Sequence, residues 1–324
     1  MKILVTGGAG YIGSFMVNTL IDHGNEVTVI DNLERGHRWA INDKAEFIKG
    51  NILDSELMNS IFSKNKFDGV IHFAGLISME ESVKNPQLYF QNNVQGSTNL
   101  IECMLKHNIN KIIFSSTAGV YGDPVKIPIP EDHPKNPKNP YGESKLRVEK
   151  LLESYKARGL NFVSLRYFNA AGAAIDGSMG EDHNPETHII PFAIKAALEN
   201  GEFYLYGTDY STPDGTCVRD YIHVLDLVEA HLLSLSKLQK ETGGFFYNVG
   251  TGVGFSNKQV VEMVKKVSGI DFKVMDKERR AGDADILVAD VTKIKKELDF
   301  SPRYSNLEII VGTAYKWHKN KKLK

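Results

Sequence analysis

The stretch that decides the fold is MKILVTGGAGYIG, residues 1–13. A strand-like run, Lys2 to Thr6, breaks abruptly into glycines, and Gly8-Ala9-Gly10-Tyr11-Ile12-Gly13 satisfies G-x-G-x-x-G just where a helix is predicted to open and run to about His23. Glycines at these positions allow a tight turn, close approach of the backbone to a pyrophosphate, and packing of the helix on the strand. The helix N-terminus then offers N–H donors to phosphate oxygens. A second strand, EVTVID, ends in Asp31, 18 residues beyond Gly13. An acid there accepts from a ribose 2′-hydroxyl and repels a 2′-phosphate, which favours NAD over NADP. Arg35 lies close by, and a nearby arginine would welcome that phosphate.

Working outward, strand-like runs KILVT, EVTVID, EFIKG, GVIHFAG, KIIFSS and NFVSLRYFN alternate with amphipathic stretches through the first half. This alternation predicts βαβ units, and the near-continuous apolar runs predict strands covered on both faces. The expected class is α/β: a Rossmann-like doubly wound parallel sheet with a smaller, mixed α/β substrate-binding domain. The expected division gives residues 1–168, with about 218–237 returning, to the nucleotide domain, and 169–217 with 238–324 to the other. After residue 170, AAGAAIDGSMGEDHNPETH and YGTDYSTPDGTC read as long functional loops. IIPFAIKAALENG and VLDLVEAHLLSLSKL read as helices.

A chain of 324 residues, 42% hydrophobic, is long enough for a sizeable core. With 39 basic against 40 acidic residues, the net charge of −1 supplies no global field for nucleic acid or anionic lipid. The basic end, KNKKLK, reads as a frayed, solvated terminus. Two cysteines, Cys103 and Cys217, are too few to staple the fold, and neither sits in a CxxC or beside a metal-spaced histidine. That usage points to a reducing compartment, and the expected location is the cytoplasm. No apolar run approaches the roughly 18 residues of a membrane helix, and glycines interrupt the first apolar run too early for a signal-peptide core.

The stretch YGESK places Tyr141 and Lys145 four apart, on one face of a predicted helix. An ammonium beside a phenol favours phenolate and lowers its pKa, which would suit a general base. Spacing alone decides nothing, because Tyr315 and Lys319 form the same pair. Context separates the two: Tyr141 follows the tract IIFSST, which brings the Thr117 hydroxyl to the carboxyl edge of the sheet, where ligands bind in open α/β folds.

Gly7, Gly10 and Gly13, together with HFAG, NNVQGS, SSTAGVYG and YGESK, resemble the extended short-chain dehydrogenase/reductase family. RYFNAAGA, GEDHNPETHIIP, YGTDYSTPDGTCVRDYIHVLDL and ERRAGD narrow the resemblance to the UDP-glucose 4-epimerases within it, from residue 1 to about residue 290.

That resemblance implies catalytic roles for Thr117, Tyr141 and Lys145. Tyr141 would take the proton from the sugar 4-hydroxyl as hydride leaves C4 for the nicotinamide. Thr117 would hydrogen-bond the oxygen, and Lys145 would hold the nicotinamide ribose and lower the Tyr pKa. The 4-keto sugar then turns over, hydride returns to its other face, and NAD is retained. Cofactor contacts are implied for Gly7, Gly10, Tyr11, Ile12, Gly13, Asp31, Asn32, Asn51, Ile52, Phe73, Ala74, Gly75, Asn92, Ser115, Tyr141, Lys145 and Phe168. Asn51 stands where the family often has Asp, and Ile77 where some members have Lys. A UDP-hexose substrate is implied to contact Thr117, Tyr141, Asn169, His188, Tyr204, Tyr206, Arg219, Arg280, Asp283 and Leu287. In this reading the arginines hold the diphosphate, an aromatic packs on uracil, and Asp283 accepts from ribose. Leu287 is the position implied to admit or exclude N-acetylhexosamines. A homodimer is also implied.

Blander readings stand beside these. Taken alone, Arg279 and Arg280 form a solvated charge pair, and Tyr204 and Tyr206, alternating along a strand, are core. Glu181, Asp182, His183 and His188 match no familiar ligand spacing, so no metal is expected. A nucleotide-sugar dehydratase would need an acid pair after Thr117, where Ala118 and Gly119 stand. A non-catalytic NAD-sensing protein is the alternative of a different class, opposed by the intact Thr117, Tyr141 and Lys145.

Overall fold

The computed structural model describes residues 1–279 and 283–322, which form two compact units. The first comprises Met1–Gly122, Pro134–Arg166 and Val228–Tyr247; the second comprises Asp123–His133, Tyr167–Leu227 and Asn248–Lys324.

The first half of the chain supplies β1 (Lys2–Thr6), β2 (Glu26–Asp31), β3 (Glu46–Lys49), β4 (Gly69–His72), β5 (Lys111–Thr117) and β6 (Asn161–Tyr167). Beyond them come β7 (Asn169–Ala171), β8 (Glu202–Tyr206), β9 (Val218–His223), β10 (Gly244–Val249), β11 (Gly254–Ser256), β12 (Lys273–Lys277) and β13 (Ile286–Leu287). The large sheet runs β3-β2-β1-β4-β5-β6-β10. The pairings from β3 across to β5 are all parallel. This is the doubly wound order, with its reversal beside β1. β4 and β6 are buried at every residue, the result of helices covering both faces, whereas the outermost strand β3 is partly exposed. Leu4, Ile30, Val70, Ile112, Phe114 and Phe162 from the strands pack with Met58, Leu100, Val148 and Leu152 from the helices.

Two boundaries differ from the sequence expectation. The segment returning to the first unit is Val228–Tyr247, later than 218–237, because β10 joins the sheet beside β6. An apolar run bordered by glycines, GGFFYNVG, carried that strand, but nothing local says which sheet it joins. Residues 123–133 belong to the second unit, where Ile129 N–H donates to Val288 O at 2.8 Å.

In the second unit, β11, β9 and β13 form one sheet with β7 paired to β9, and β8 pairs β12 in parallel. The helices Ile189–Glu199, Asn257–Ser268 and Leu307–Lys322 bury Ala193, Ile194, Val260, Val264, Ile310 and Val311 together. The last of these helices corrects the frayed-terminus reading: it continues to Lys322, and Tyr315 packs partly buried against this core. Among the described residues, no helix is long and apolar enough to cross a membrane.

Candidate active site

Because the strands are parallel, their carboxyl ends deliver side chains to one edge. Gly7 follows β1, Asn32 follows β2, Asn51 and Ile52 follow β3, Phe73, Ala74 and Gly75 follow β4, and Ser115 and Thr117 lie near the end of β5. The glycine turn is sterically committed. Gly7 has φ +73°, and a Cβ there would meet Ala74 N at 2.6 Å, while a Cβ on Gly13 would meet Gly7 O at 2.2 Å. A Cβ on Gly10 would meet only Gly7 O, at 3.4 Å, so this glycine faces open space. Gly10 is also the N-cap of the helix Tyr11–Asp22, without a side-chain bond to the helix amides and with no acid in the first turn. An open cradle at an uncovered positive helix end fits a dinucleotide pyrophosphate.

Asp31, at the end of β2, braces this turn. Its Oδ2 accepts from Ala9 N–H at 3.0 Å and its Oδ1 from Leu33 N–H at 2.8 Å. Burial pushes its carboxyl upward in pKa, and these two backbone bonds oppose the rise. Each oxygen keeps lone-pair capacity for a ribose hydroxyl. Asn51 accepts from Leu53 N–H at 2.9 Å, and Ile52 is buried. Asn92 lies in a π-helical turn, Phe90–Gln95, a rare conformation concentrated at functional sites. Phe168 falls in the second unit, where its N–H donates to Val249 O at 3.1 Å.

Thr117 is the last residue of β5, and its Oγ1 accepts from Gly119 N–H at 3.1 Å. Tyr141 stands in the first turn of the helix Pro140–Tyr155, which has proline at its start and is capped by Asn139 Oδ1 accepting from Gly142 N–H at 2.9 Å. The Thr117 side chain lies beside the Tyr141 phenol and favours its ionised form. One turn on, Lys145 Nζ donates to Ser115 O at 2.9 Å and lies 5.0 Å from the centre of the Phe114 ring.

The electrostatics differ from the sequence expectation. Burial raises the Tyr141 pKa, and the neighbouring Thr117 hydroxyl only partly opposes this. Burial also pushes the Lys145 ammonium down to about 8. Lys145 gives one of its three donors to the end of β5, and burial favours the protonated phenol.

Sequence reasoning missed the buried polar framework beneath these residues. Ser97 Oγ donates to Asn93 O at 2.5 Å, so the His72 Nε2 contact at 2.8 Å is a donation from the ring. His72 Nδ1 is then left to accept from Thr6 Oγ1 at 2.7 Å. Asn93 Nδ2 donates to Ser144 Oγ at 3.0 Å, and Ser144 Oγ donates to Tyr141 O at 2.7 Å. Glu149, two turns after Tyr141 on the same helix face, accepts from Ser116 Oγ at 2.7 Å and is paired with Arg166. Their only sequence signal was polar residues interrupting apolar runs.

The remaining candidates lie in the second unit. Tyr204, Tyr206 and Asp283 line a cavity of about 170 Å³ together with Thr187, Ile189 and Phe192. Tyr204 is 43% exposed while its neighbours Phe203 and Leu205 are buried, so the tyrosines take the face of β8 opposite the core. Arg219 Nη2 is 3.6 Å from Asp283 Oδ1, and Leu287 pairs in register with Arg219. Asn169 Nδ2 donates to Asp220 O at 3.1 Å on the same sheet. His188 is the N-cap residue of the helix Ile189–Glu199. Arg280 lies outside the described residues.

A glycine cradle, an acid on the second strand and a Thr–Tyr–Lys set at one edge of a doubly wound sheet define an NAD-dependent α/β enzyme. The chain belongs to the NAD dependent epimerase/dehydratase family, which it matches over residues 3–250, and NAD is its cofactor. It is 48% identical over 322 residues to the UDP-glucose 4-epimerase of Lactobacillus helveticus, covering 99% of this chain and 98% of that one. The solved UDP-glucose 4-epimerase of Brucella ovis in complex with NAD is 43% identical, with a TM-score of 0.94 and 97% of each chain covered. The solved UDP-Glc/GlcNAc 4-epimerase of Campylobacter jejuni is 42% identical, with a TM-score of 0.86 and coverage of 98% of this chain and 99% of that one.

Proposed function

We propose that this chain interconverts UDP-galactose and UDP-glucose at C4 of the hexose. The observation that carries the reading is the Tyr141 phenol beside the Thr117 side chain at the end of β5, with Lys145 one turn further along the same helix face. Thr117 orients the substrate 4-oxygen, and Tyr141 takes its proton and returns it. Lys145 and the buried framework hold the Tyr141 helix against β5. Bound oxidised NAD supplies the hydride acceptor and a positive charge that favours phenolate. In the second unit, Arg219, Asn169, His188, Tyr204, Tyr206, Asp283 and Arg280 hold the UDP-sugar. Ala118 and Gly119 after Thr117 offer no acid or base for elimination, which disfavours a dehydratase.

The test is incubation of the purified protein with UDP-galactose, first without and then with added NAD, following UDP-glucose by chromatography. Conversion without added NAD is the expected result; silence in both conditions overturns the reading. UDP-GalNAc in parallel addresses breadth, since Leu287 is neither the restrictive aromatic nor the permissive small residue and the Campylobacter jejuni relative is a UDP-Glc/GlcNAc enzyme. We further read the chain as a cytoplasmic homodimer serving galactose metabolism. The two free cysteines support the compartment. The dimer rests on the family resemblance and is tested by light scattering.

A further inference from the structure

The loop leading into the helix Ile189–Glu199 gathers four ligand-type side chains that the sequence spacing did not suggest: Glu181, His183, Glu186 and His188, with Glu186 in place of Asp182. One ligand atom from each lies within 4.8 Å of all the others. Glu181 Oε1 is approached by His183 Nδ1 at 3.0 Å and by His188 Nδ1 at 2.6 Å, and Glu186 Oε1 by the same two nitrogens at 3.9 and 3.4 Å. The edge of a tetrahedron whose centre-to-ligand bonds are about 2.0–2.1 Å is about 3.3 Å, and these four separations straddle it. We propose that Glu181, His183, Glu186 and His188 bind a divalent transition cation, Zn²⁺ by its preference for imidazole and carboxylate, in a site that shares none of the catalytic residues and only His188 with the proposed UDP-sugar contacts.

Three features favour a cation over a plain ion-pair cluster. Two imidazole nitrogens crowd a single oxygen of a carboxylate whose side chain is 5% exposed, and one divalent ion would neutralise both acids while leaving both rings neutral. His188 Nδ1 is sealed from solvent and, despite its 2.6 Å approach to Glu181, is out of line for a hydrogen bond. The ligands are also braced as metal ligands commonly are: Glu186 Oε1 accepts from the Thr187 and His188 N–H groups at 2.7 and 2.9 Å, and Trp317 Nε1 donates to Glu181 O at 2.9 Å. The ion would cross-link the loop upon itself and fix Thr187 and Ile189, which line the cavity beside Tyr204.

The experiment uses tag-free, full-length protein stripped with chelator and titrated with ZnCl₂ by calorimetry. The expected result is one ion per chain with a dissociation constant of about 1 µM or tighter. Co²⁺ in its place should give the intense visible bands of a tetrahedral site. His183→Gln and Glu186→Gln, both at ligands less buried than Glu181, should each weaken binding at least about 100-fold while circular dichroism stays native. If either variant misfolds, the other and the wild-type Co²⁺ spectrum carry the test. Absence of binding, a pale octahedral Co²⁺ spectrum, or affinity unchanged in a folded variant overturns the proposal.

Discussion

Arg166 and Glu149 meet through two parallel bonds, 2.9 Å from Nε to Oε1 and 2.8 Å from Nη2 to Oε2, with both side chains at most 3% exposed. Arg166 also donates to the Tyr121 hydroxyl at 2.8 Å, and Glu149 accepts from Ser116 and Ser164. Removing one partner strands a buried charge. Arg166→Met should therefore cost about 3–5 kcal/mol in urea unfolding. Pairing it with Glu149→Leu should recover much of the loss, because the double variant leaves no charge behind. A single variant within 1 kcal/mol of wild type, measured with roughly the same m-value, would mean that the pair anchors nothing.

Tyr141→Phe removes the proton carrier and leaves the ring that packs edge-on against Tyr89. The expected loss in kcat is about 10²–10⁴-fold. NAD content, read by chromatography after denaturation, should stay near that of wild type. Equal loss of NAD and activity would recast Tyr141 as a cofactor-binding residue.

Gly13→Ala would drive a methyl group to within 2.2 Å of Gly7 O. The turn must open, since the contact is backbone and has no rotamer to yield. NAD retention should fall at least about tenfold, equivalent to roughly 1.4 kcal/mol. Retention of cofactor at the wild-type level would show that the cradle is softer than its contacts suggest.

His72 sets an acid limit on stability. Burial, aided by the Lys145 charge, depresses its pKa to about 3 from an ordinary 6.5. Below pH 6.5 the unfolded chain takes up a proton that the folded chain refuses. Stability should then fall as pH drops from 6.5 towards 3, by up to about 1.4 kcal/mol per pH unit, and be insensitive to this group above 6.5. Comparing unfolding free energies of wild type and His72→Asn between pH 7 and pH 4.5 checks this. Parallel curves would clear His72 of the effect.

The strands of the large sheet were legible because apolar runs alternated with amphipathic ones, and the glycine turn and Asp31 because their spacing encodes a shape. Tyr141 and Thr117 were legible through their order along the chain, which parallel topology converts into proximity. Glu149 was not, since a carboxylate in SKLRVEKLLESY reads as part of a solvated helix face until Arg166 on β6 is seen to meet it. The destination of β10 was hidden for a similar reason: strand character is local, whereas the choice of neighbour is not. For Tyr141, sequence spacing counts the lysine charge but not the opposing cost of burying the phenol.

The threading of the chain between units bears on how it is made. Every residue of β6 is buried in the finished protein, but its neighbour β10 is synthesised only after the whole excursion through residues 167–227. On the ribosome β6 waits as an open, apolar edge, the condition most prone to wrong pairing. Because each unit is assembled from three separate segments, a single cut anywhere in residues 134–247 leaves both incomplete. Neither unit is encoded by a continuous stretch of the sequence.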